Sequence, residues 1–599
     1  MIHQLEALMD IPSNRRGTSF LLELIEPQDI VCPEDMGEDE RLLMRSIREF
    51  AKQEVEPVLE EIDRRNIDVI RPLFKKAADL GIFMAEVPEE HGGLGLSLLA
   101  IAGMSECRSA LGGLASTVFA HQGIGTLPLI NFGTPAQIDQ YLHRCMSGDL
   151  MAAFALTESG AGSDAMNIKT TAVLNPQGTH YIVNGSKQWI TNAGWADLFI
   201  LFAKVDGSDF SAFLLERETP GLTIGAHERL LGLQGSSVCA MQLDDVAIPA
   251  DNLLGEIGRG HRVALCTLNL GRMKMAANCA GSAKKILATT TGYATERHQF
   301  GRSIVDFGLI QRKLADMAAR AYGAESVAYR TAGLVYSAIE TLGKETNQSL
   351  DLKLRTFAEF SVECAIAKII GSETYHSLSD DALQIYGGYG FSEEYPAARW
   401  YRDSRITRIY EGTSEICRLN ISKTILKRAA RGELSFADAV GRLASPVAQP
   451  ADDSLGALRT QVNTLKQLFL FVLGQLWDNL EDTQLLDPTN QQFLASLADI
   501  AIEIYLAEST VLRVLKLSKV GSRSDFQLET ALARLVFFRS ADRIRQETTE
   551  ILAALLSGDR LTSALDRASA WLPRPTGLIA SRALVAQALV AGNGTLQPA

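Results

Sequence analysis

Residues 179–191 read THYIVNGSKQWIT. Period-two stretches lie on either side of Asn184-Gly185, and Asn-Gly between alternating residues is the strongest short-range hairpin signal, so a turn is expected there. The same theme runs through DLFILFAKV (197–205), SAFLLERE (211–218) and SSVCAMQLDDVAIP (236–249), with Gly and Pro punctuating the intervals. A β domain is therefore expected over about 151–260.

Outward from this block the period changes to that of helices. DERLLMRSIREFAKQEVEPVLEEID (39–63) sets Leu42, Ile47, Phe50, Val55 and Leu59 near one stripe with charges between them. EEHGGLGLS (89–97) breaks one helix from the next. A helical domain over 34–150 follows an N-terminal extension, 1–33. Helical periodicity returns over 261–430. VGRLASPVAQPADDSLGA (440–457) has the Pro and small residues of a linker. Leu455, Leu458, Val462, Leu465, Phe469 and Val472 then open a second helical unit, 458–599. The order is helices, sheet, helices and a helical appendix. No GxGxxG follows a strand and opens a helix, which excludes a Rossmann reading.

A chain of 599 residues is too long for one core. Its net charge of −13 argues against a surface spread over nucleic acid. Beyond residue 455, acidic and basic residues are about balanced, which points the same way. Eight cysteines without a CxxC pair fit neither a zinc site nor a disulfide framework, so reduced, buried thiols are expected. The N-terminus lacks the basic-then-apolar order of a signal peptide, and no apolar run reaches the ~20 residues of a membrane span. These features imply a cytoplasmic protein with no metal site.

Five segments could carry chemistry. AFALTESGAGSDAMNIKT (153–170) offers small and hydroxyl residues that let backbone N–H groups approach a polar ligand; a Ser/Gly tether is the plainer reading. KQWITNAG (187–194) places Trp189 and Thr191 at a strand end, suited to a planar heteroaromatic ligand or to a core. ERHQFGRSI (296–304) holds Arg297 and Gln299, either a pyrophosphate grip or a helix-end surface. LQIYGGYGF (383–391) adds Gln384 and Gly387-Gly388, a C-cap or a close approach to ligand. RIYEGTSEI (408–416) contributes Glu411 and Glu415.

In succession these five segments resemble the acyl-CoA dehydrogenase family over roughly 35–430, and the C-terminal helices and DFGLIQRKLADM (306–317) resemble its very-long-chain branch. The resemblance implies an α+β multidomain fold: an N-terminal helical domain, a middle β-barrel-like domain, a four-helix bundle and an additional all-helical domain. It implies FAD between the β domain and the bundle. Phe154, Leu156, Thr157, Gly162 and Ser163 would meet flavin or substrate head, and Trp189 and Thr191 would face the isoalloxazine. Arg297, Gln299, Gln384, Gly387 and Gly388 would serve pyrophosphate and adenine, partly from a neighbouring subunit, and Thr413 and Glu415 would close over the cofactor. Asn269 and Arg272, in TLNLGRMKM (267–275), would meet coenzyme A, with Tyr410 and Gly412 beside the substrate.

The implied reaction is α,β-dehydrogenation of a fatty acyl thioester in β-oxidation, a base taking the α proton while hydride passes to flavin N5. Such a base must be desolvated, and hydrogen-bond donors must meet the thioester oxygen. Gly412 would aim Glu411 inward, whereas Glu415 falls in the first turn of the next helix, where a carboxylate is favoured anyway. Relatives that carry the base immediately before the arginine matching Arg272 are excluded as a guide, because Gly271 stands there. Glu411 is the expected base. Ala115, Ser116 and Ala120 would leave a deep acyl pocket, with Phe119 a possible obstruction, so a long-chain substrate is expected. Electron-transfer flavoprotein as acceptor, a homodimer and peripheral membrane contact follow from the resemblance. An acyl-CoA oxidase and a non-enzymatic scaffold are the alternatives.

Overall fold

The computed structural model describes residues 15–345, 350–443, 454–520 and 525–595. The chain divides into two compact units. One comprises Met36–Lys274 with Asn347–Ala358; the other comprises Met1–Asp35, Met275–Thr346 and Glu359–Ala599.

The first unit opens with α1 (Glu38–Phe50), α2 (Ile67–Asp79) and α3 (Leu98–Arg108). Three acidic residues fill the first turn of α1, where they meet the positive end of the helix dipole. Asn66 caps α2 and Ser97 caps α3 through their side-chain oxygens. Met44, Ile47, Phe50 and Val55 bury against Ile70 and Phe74. Leu42, expected in this stripe, is 55% exposed. It stands five positions before Ile47, which turns it away from the face that Met44, Ile47 and Ala51 share at i, i+3 and i+7.

The strands are β1 (Ala152–Ala155), β2 (Thr171–Leu174), β3 (His180–Thr191), β4 (Leu198–Val205), β5 (Asp209–Glu216), β6 (Leu222–His227), β7 (Val238–Pro249) and β8 (Leu253–Leu254). They form one sheet in the order β6-β7-β3-β2-β4-β5-β8, with β1 parallel to β4. Leu198, Ile200 and Phe202 enter one core and Phe199, Leu201 and Ala203 the other. Burial on both faces explains why DLFILFAKV is continuously apolar.

The hairpin expected at Asn184-Gly185 is absent. β3 runs through it, and the register against β7 slips between Val183 and Gly185. A Cβ on Gly185 would stand 2.8 Å from Thr170 Cα, so the glycine admits a neighbouring chain at a bulge rather than a reversal. β3 reverses instead from β2 over 175–179, and a tight turn of the expected kind joins β4 to β5, where Asp206 (φ 49°) and Gly207 (φ 77°) both take left-handed conformations.

Helix α4 (Gly260–Glu296) leads out of the first unit; α5 (Gly308–Glu345), α6 (Ser361–Tyr386), α7 (Pro396–Ile406) and α8 (Ser414–Ala430) follow. Ala276 of α4 lies so near α6 that a Cβ on Gly371 would come within 2.9 Å of its Cα. The appendix forms α9 (Leu455–Asn479), α10 (Gln491–Val520), α11 (Gln527–Leu555) and α12 (Leu578–Ala591). Leu458, Val462, Leu465, Phe469 and Val472 are buried, as their spacing predicts. These helices share the compact unit of α5–α8. Arg330 on α5 meets Glu508 on α10 at 2.8 Å, and Arg418 on α8 meets Asp499 at 2.7 Å. Of the expected linker, residues 444–453 lie outside the described residues.

Residues 15–35 form a strap along this unit. Phe20 packs edge-on against Tyr505. Lys466 donates to the Glu23 carbonyl, Arg459 reaches Glu26, and Arg513 reaches Glu34. Glu363 on α6 accepts from Thr18 N–H at 2.5 Å, and Glu359, just before α6, accepts from Gly17 N–H at 2.9 Å.

Candidate active site

In the first unit, β1 ends at Ala155 and the chain enters the loop that carries Thr157, Gly162 and Ser163. Phe154 packs on Phe202 at 5.0 Å and Leu156 is buried, so both side chains belong to the sheet core. A Cβ on Gly160 or Gly162 would meet nothing within 4 Å, and Ser163 is exposed. The loop presents small residues to open space.

Behind it, Gln188 N–H donates to the Thr157 carbonyl at 2.9 Å. The register of β3 on β7 slips again between Lys187 and Ile190. Inside that slip Trp189 takes φ 57° and exposes 57% of its surface. The bulge turns out an indole that regular pleating would have placed against a neighbour. Ile190 and Thr191 then rejoin β7 opposite Cys239 and Val238. Asn192, itself at φ 69° and buried, donates to the Thr117 and Ala152 carbonyls. The neutral ring of buried His121 accepts from Ala152 N–H, and burial pulls its pKa down to about 4. Farther along, Arg272 donates to Asn269 Oδ1 at 3.1 Å, and Asn269 to the Phe357 carbonyl; both residues are largely buried.

In the second unit, Arg297 and Gln299 lead into a tight two-residue turn, Phe300 (φ 53°) and Gly301 (φ 78°), joining 298–299 to 302–303. The Arg297 guanidinium lies 5.1 Å from the centre of the Tyr389 ring. Tyr293 and Tyr386 stack at 3.9 Å, fixing the end of α6 against the end of α4. Gly387 caps α6 at φ 61° with open space around it and around Gly388, and Gln384 is exposed one turn earlier. The structure thus gathers Arg297, Gly387 and Gly388 at one end of the bundle.

Between α7 and α8, Glu411 takes φ 58° and Gly412 φ 90°. A left-handed glutamate is uncommon and is held by its surroundings. Here Tyr410 N–H bonds the Ile406 carbonyl and Ser414 N–H bonds that of Arg408. The Glu411 Oε2 atom is shielded from solvent. Tyr410 keeps 38% of its surface exposed, yet desolvation around its hydroxyl pushes the group above its ordinary pKa, with buried Cys279 and then Glu411 adding to the rise. Thr413 caps α8 by accepting from Ile416 N–H at 3.2 Å. Glu415 sits exposed in the first turn; its own backbone N–H and then the Thr413 hydroxyl hold its carboxyl below the ordinary value.

Sequence reasoning missed Lys187. It is fully buried and pairs with Glu158 at 2.8 Å. The available signal was its place at an inward position of β3, in step with Tyr181 and Val183, where a lysine needs a partner. The aromatic support for Arg297 was also missed, since Tyr389 is far from it in sequence.

Comparison with known proteins decides what the scaffold is. Residues 37–149, 153–246 and 258–426 match the N-terminal, middle and C-terminal domains of acyl-CoA dehydrogenases, and 464–568 match a further acyl-CoA dehydrogenase C-terminal domain. The chain belongs to the acyl-CoA dehydrogenase family. A probable acyl-CoA dehydrogenase of Bacillus subtilis is 38% identical over 556 residues, covering 91% of this chain and 92% of that one. The rat mitochondrial very long-chain specific acyl-CoA dehydrogenase is 42% identical over 359 residues, which cover 57% of this chain and 51% of the relative. An acyl-CoA dehydrogenase of Bacillus anthracis, solved in complex with FAD, superposes with a TM-score of 0.93 at 38% identity, covering 96% of this chain and 99% of that one. As in that relative, the acyl-CoA dehydrogenase architecture here includes the helices beyond residue 455.

Proposed function

We propose that this acyl-CoA dehydrogenase removes the α and β hydrogens of a long-chain acyl-CoA, with FAD as cofactor and Glu411 as base. One observation carries the reading: a glutamate in the left-handed region just before a glycine, braced by the Tyr410 and Ser414 backbone bonds, with one carboxylate oxygen out of solvent, between two helix ends. A carboxylate so held is desolvated and aimed before substrate arrives, which is what abstraction of a weakly acidic proton requires.

The residues present fit FAD. The open cradles at Gly160, Gly162, Gly387 and Gly388 admit a ligand at van der Waals distance, Trp189 offers an exposed ring face, and Arg297 offers a charged donor for pyrophosphate. When bound, FAD supplies the acceptor for the β hydrogen and its electron pair. Thr157, Ser163, Trp189 and Thr191 would hold its flavin end in the first unit, and Arg297, Gln299 and Gln384 would serve pyrophosphate and adenine, partly from a neighbouring subunit. Glu411 receives the α proton on its carboxylate. Tyr410 and Gly412 flank the acyl group, and Asn269 and Arg272 address the coenzyme A portion. Thr413, by capping α8, fixes the chain just after the base.

The very long-chain relative and the small residues Ala115, Ser116 and Ala120 support a long acyl chain. Phe119, with the Arg108 guanidinium 5.3 Å from its ring centre, is the residue that would obstruct that side. We further read the protein as a cytoplasmic homodimer that passes electrons to electron-transfer flavoprotein. Among the described residues no helix is long and apolar enough to cross a membrane. Phe300 and Phe391, 92% and 85% exposed on the turns that carry the Arg297 and Gly387 clusters, are apolar surface for a second copy to cover.

Glu411→Gln keeps size and hydrogen bonding but cannot accept the proton. With FAD and acyl-CoA bound, flavin reduction should slow by ~10²–10⁴-fold, followed by anaerobic stopped-flow absorbance. Glu415→Gln should lose far less. Near-normal reduction in the first variant, or a larger loss in the second, removes Glu411 as the base.

A further inference from the structure

We propose that the buried pair Lys187–Glu158 is a positioning device for the cofactor: it sets the spacing between the loop that starts at Thr157 and the bulge that presents Trp189. The inference rests on the reading that both elements hold FAD.

Three pieces of chain meet at this pair. Lys187 Nζ donates to Glu158 Oε1 at 2.8 Å and to the Leu156 carbonyl at 3.2 Å. Glu158 also accepts from Lys169 N–H at 2.6 Å, from Thr170 N–H at 3.1 Å and from Thr170 Oγ1 at 2.5 Å. The node therefore locks the end of β1, the start of β2 and the middle of β3 together. Lys187 is 1% and Glu158 6% exposed. Lys187 is the last paired residue before the register slips, and Trp189 stands two residues on. Any shift of Lys187 moves the bulge relative to the loop. A buried ion pair adds little net stability compared with apolar packing. Its distinctive property is a fixed geometry with full hydrogen bonding.

The pair also has a defined operating range. Burial pulls the Lys187 pKa down to about 8, against the opposing pull of Glu158. For Glu158, burial acts upward, but Lys187, Thr170 and the Lys169 N–H hold its carboxyl below the ordinary value. Glu158 is the charged group that acts on Lys187; Met241, opposite it on β7, is neutral. The charged pair is thus present below about pH 8 and is lost above it. The contribution of Lys187 to folding runs the other way. Its folded pKa lies below the unfolded value, so between the two the unfolded chain binds more protons and stability rises with pH. Flavin loss in that window would then not be incipient unfolding.

The test uses the holoenzyme, with FAD retention read by fluorescence from pH 6 to pH 10. If only the protonated lysine holds the competent spacing, the FAD dissociation constant should rise about tenfold by pH 9. Lys187→Arg does not titrate in this range and should flatten the profile. Glu158→Gln removes the counter-charge and should move the rise to lower pH. Hydrogen exchange at the Lys169 and Thr170 amides should quicken in Glu158→Gln. Wild-type FAD affinity that stays flat to pH 10, or an unchanged rise in Lys187→Arg, overturns the proposal while leaving the cofactor reading intact. A protein that takes up no FAD at pH 7 fails the cofactor reading and this one with it.

Discussion

Glu363 on α6 shows what a single buried carboxyl does to stability. It is 1% exposed, and burial pushes its pKa up to about 7, although Thr18 N–H, its own backbone N–H and Arg428 pull it down. Glu359 adds to the rise. A folded pKa above the unfolded one means stability that is present at low pH and lost as pH rises through about 7. Glu363→Gln keeps an acceptor for Thr18 without the charge. It should match wild type near pH 4, below the unfolded pKa, and exceed it by about 3 kcal/mol near pH 8.5, in denaturant unfolding at the two values. An equal gap at both would show that ionisation of Glu363 is irrelevant. Residue-scale chemistry was only partly legible beforehand. Glu411, Gly412 and Thr413 are contiguous, so their roles could be framed from local rules. Lys187 and Glu158 are 29 residues apart, and no local rule pairs them.

At the scale of elements, the hydrophobic period announced the helix over 39–63, the sheet and the helix that opens the appendix, because period reports which face is buried; the other helices were expected only as helical regions. It did not announce where strands reverse. Asn-Gly favours a tight turn, but Gly185 is used for closeness to Thr170, a long-range demand that overrides the local preference. Gly185→Ala would drive a methyl to 2.6 Å from Thr170 Oγ1, the hydroxyl that serves Glu158. Overpacking of this kind should destabilise by about 1–3 kcal/mol and loosen FAD as well. Thermal unfolding and flavin retention measure the two effects separately. A variant with wild-type values for both would show that the strand can yield there at no loss.

For the whole molecule, the appendix was legible as helices, while its tie to the strap was not. Residues 18–35 carry few periodic apolar positions; beside the packing of Phe20 on Tyr505 and of Ile25 and Ile30 on Leu512, their contacts are side chains reaching backbone carbonyls and scattered carboxylates. Deleting residues 1–35 should leave the Glu508 cluster with Arg330 and Lys466 but remove Phe20 from Tyr505 and Glu34 from Arg513. Amide exchange should quicken over α9 and α10 and change little over β1–β8. Uniform exchange across both units, or none, would contradict this division.

The strap also orders events in time. Glu34 and its partner Arg513 are 479 residues apart. At about 5–20 residues per second, the ribosome delivers Arg513 roughly 25–100 s after Glu34. During that interval Phe20, Leu21 and Ile25 have no α10 to pack against, and the sheet, whose strands are complete by residue 254, can form without them. Closure of the strap is therefore a late step that must wait for α10. A nascent chain halted before α10 would carry those apolar residues uncovered, as a natural landing place for a chaperone.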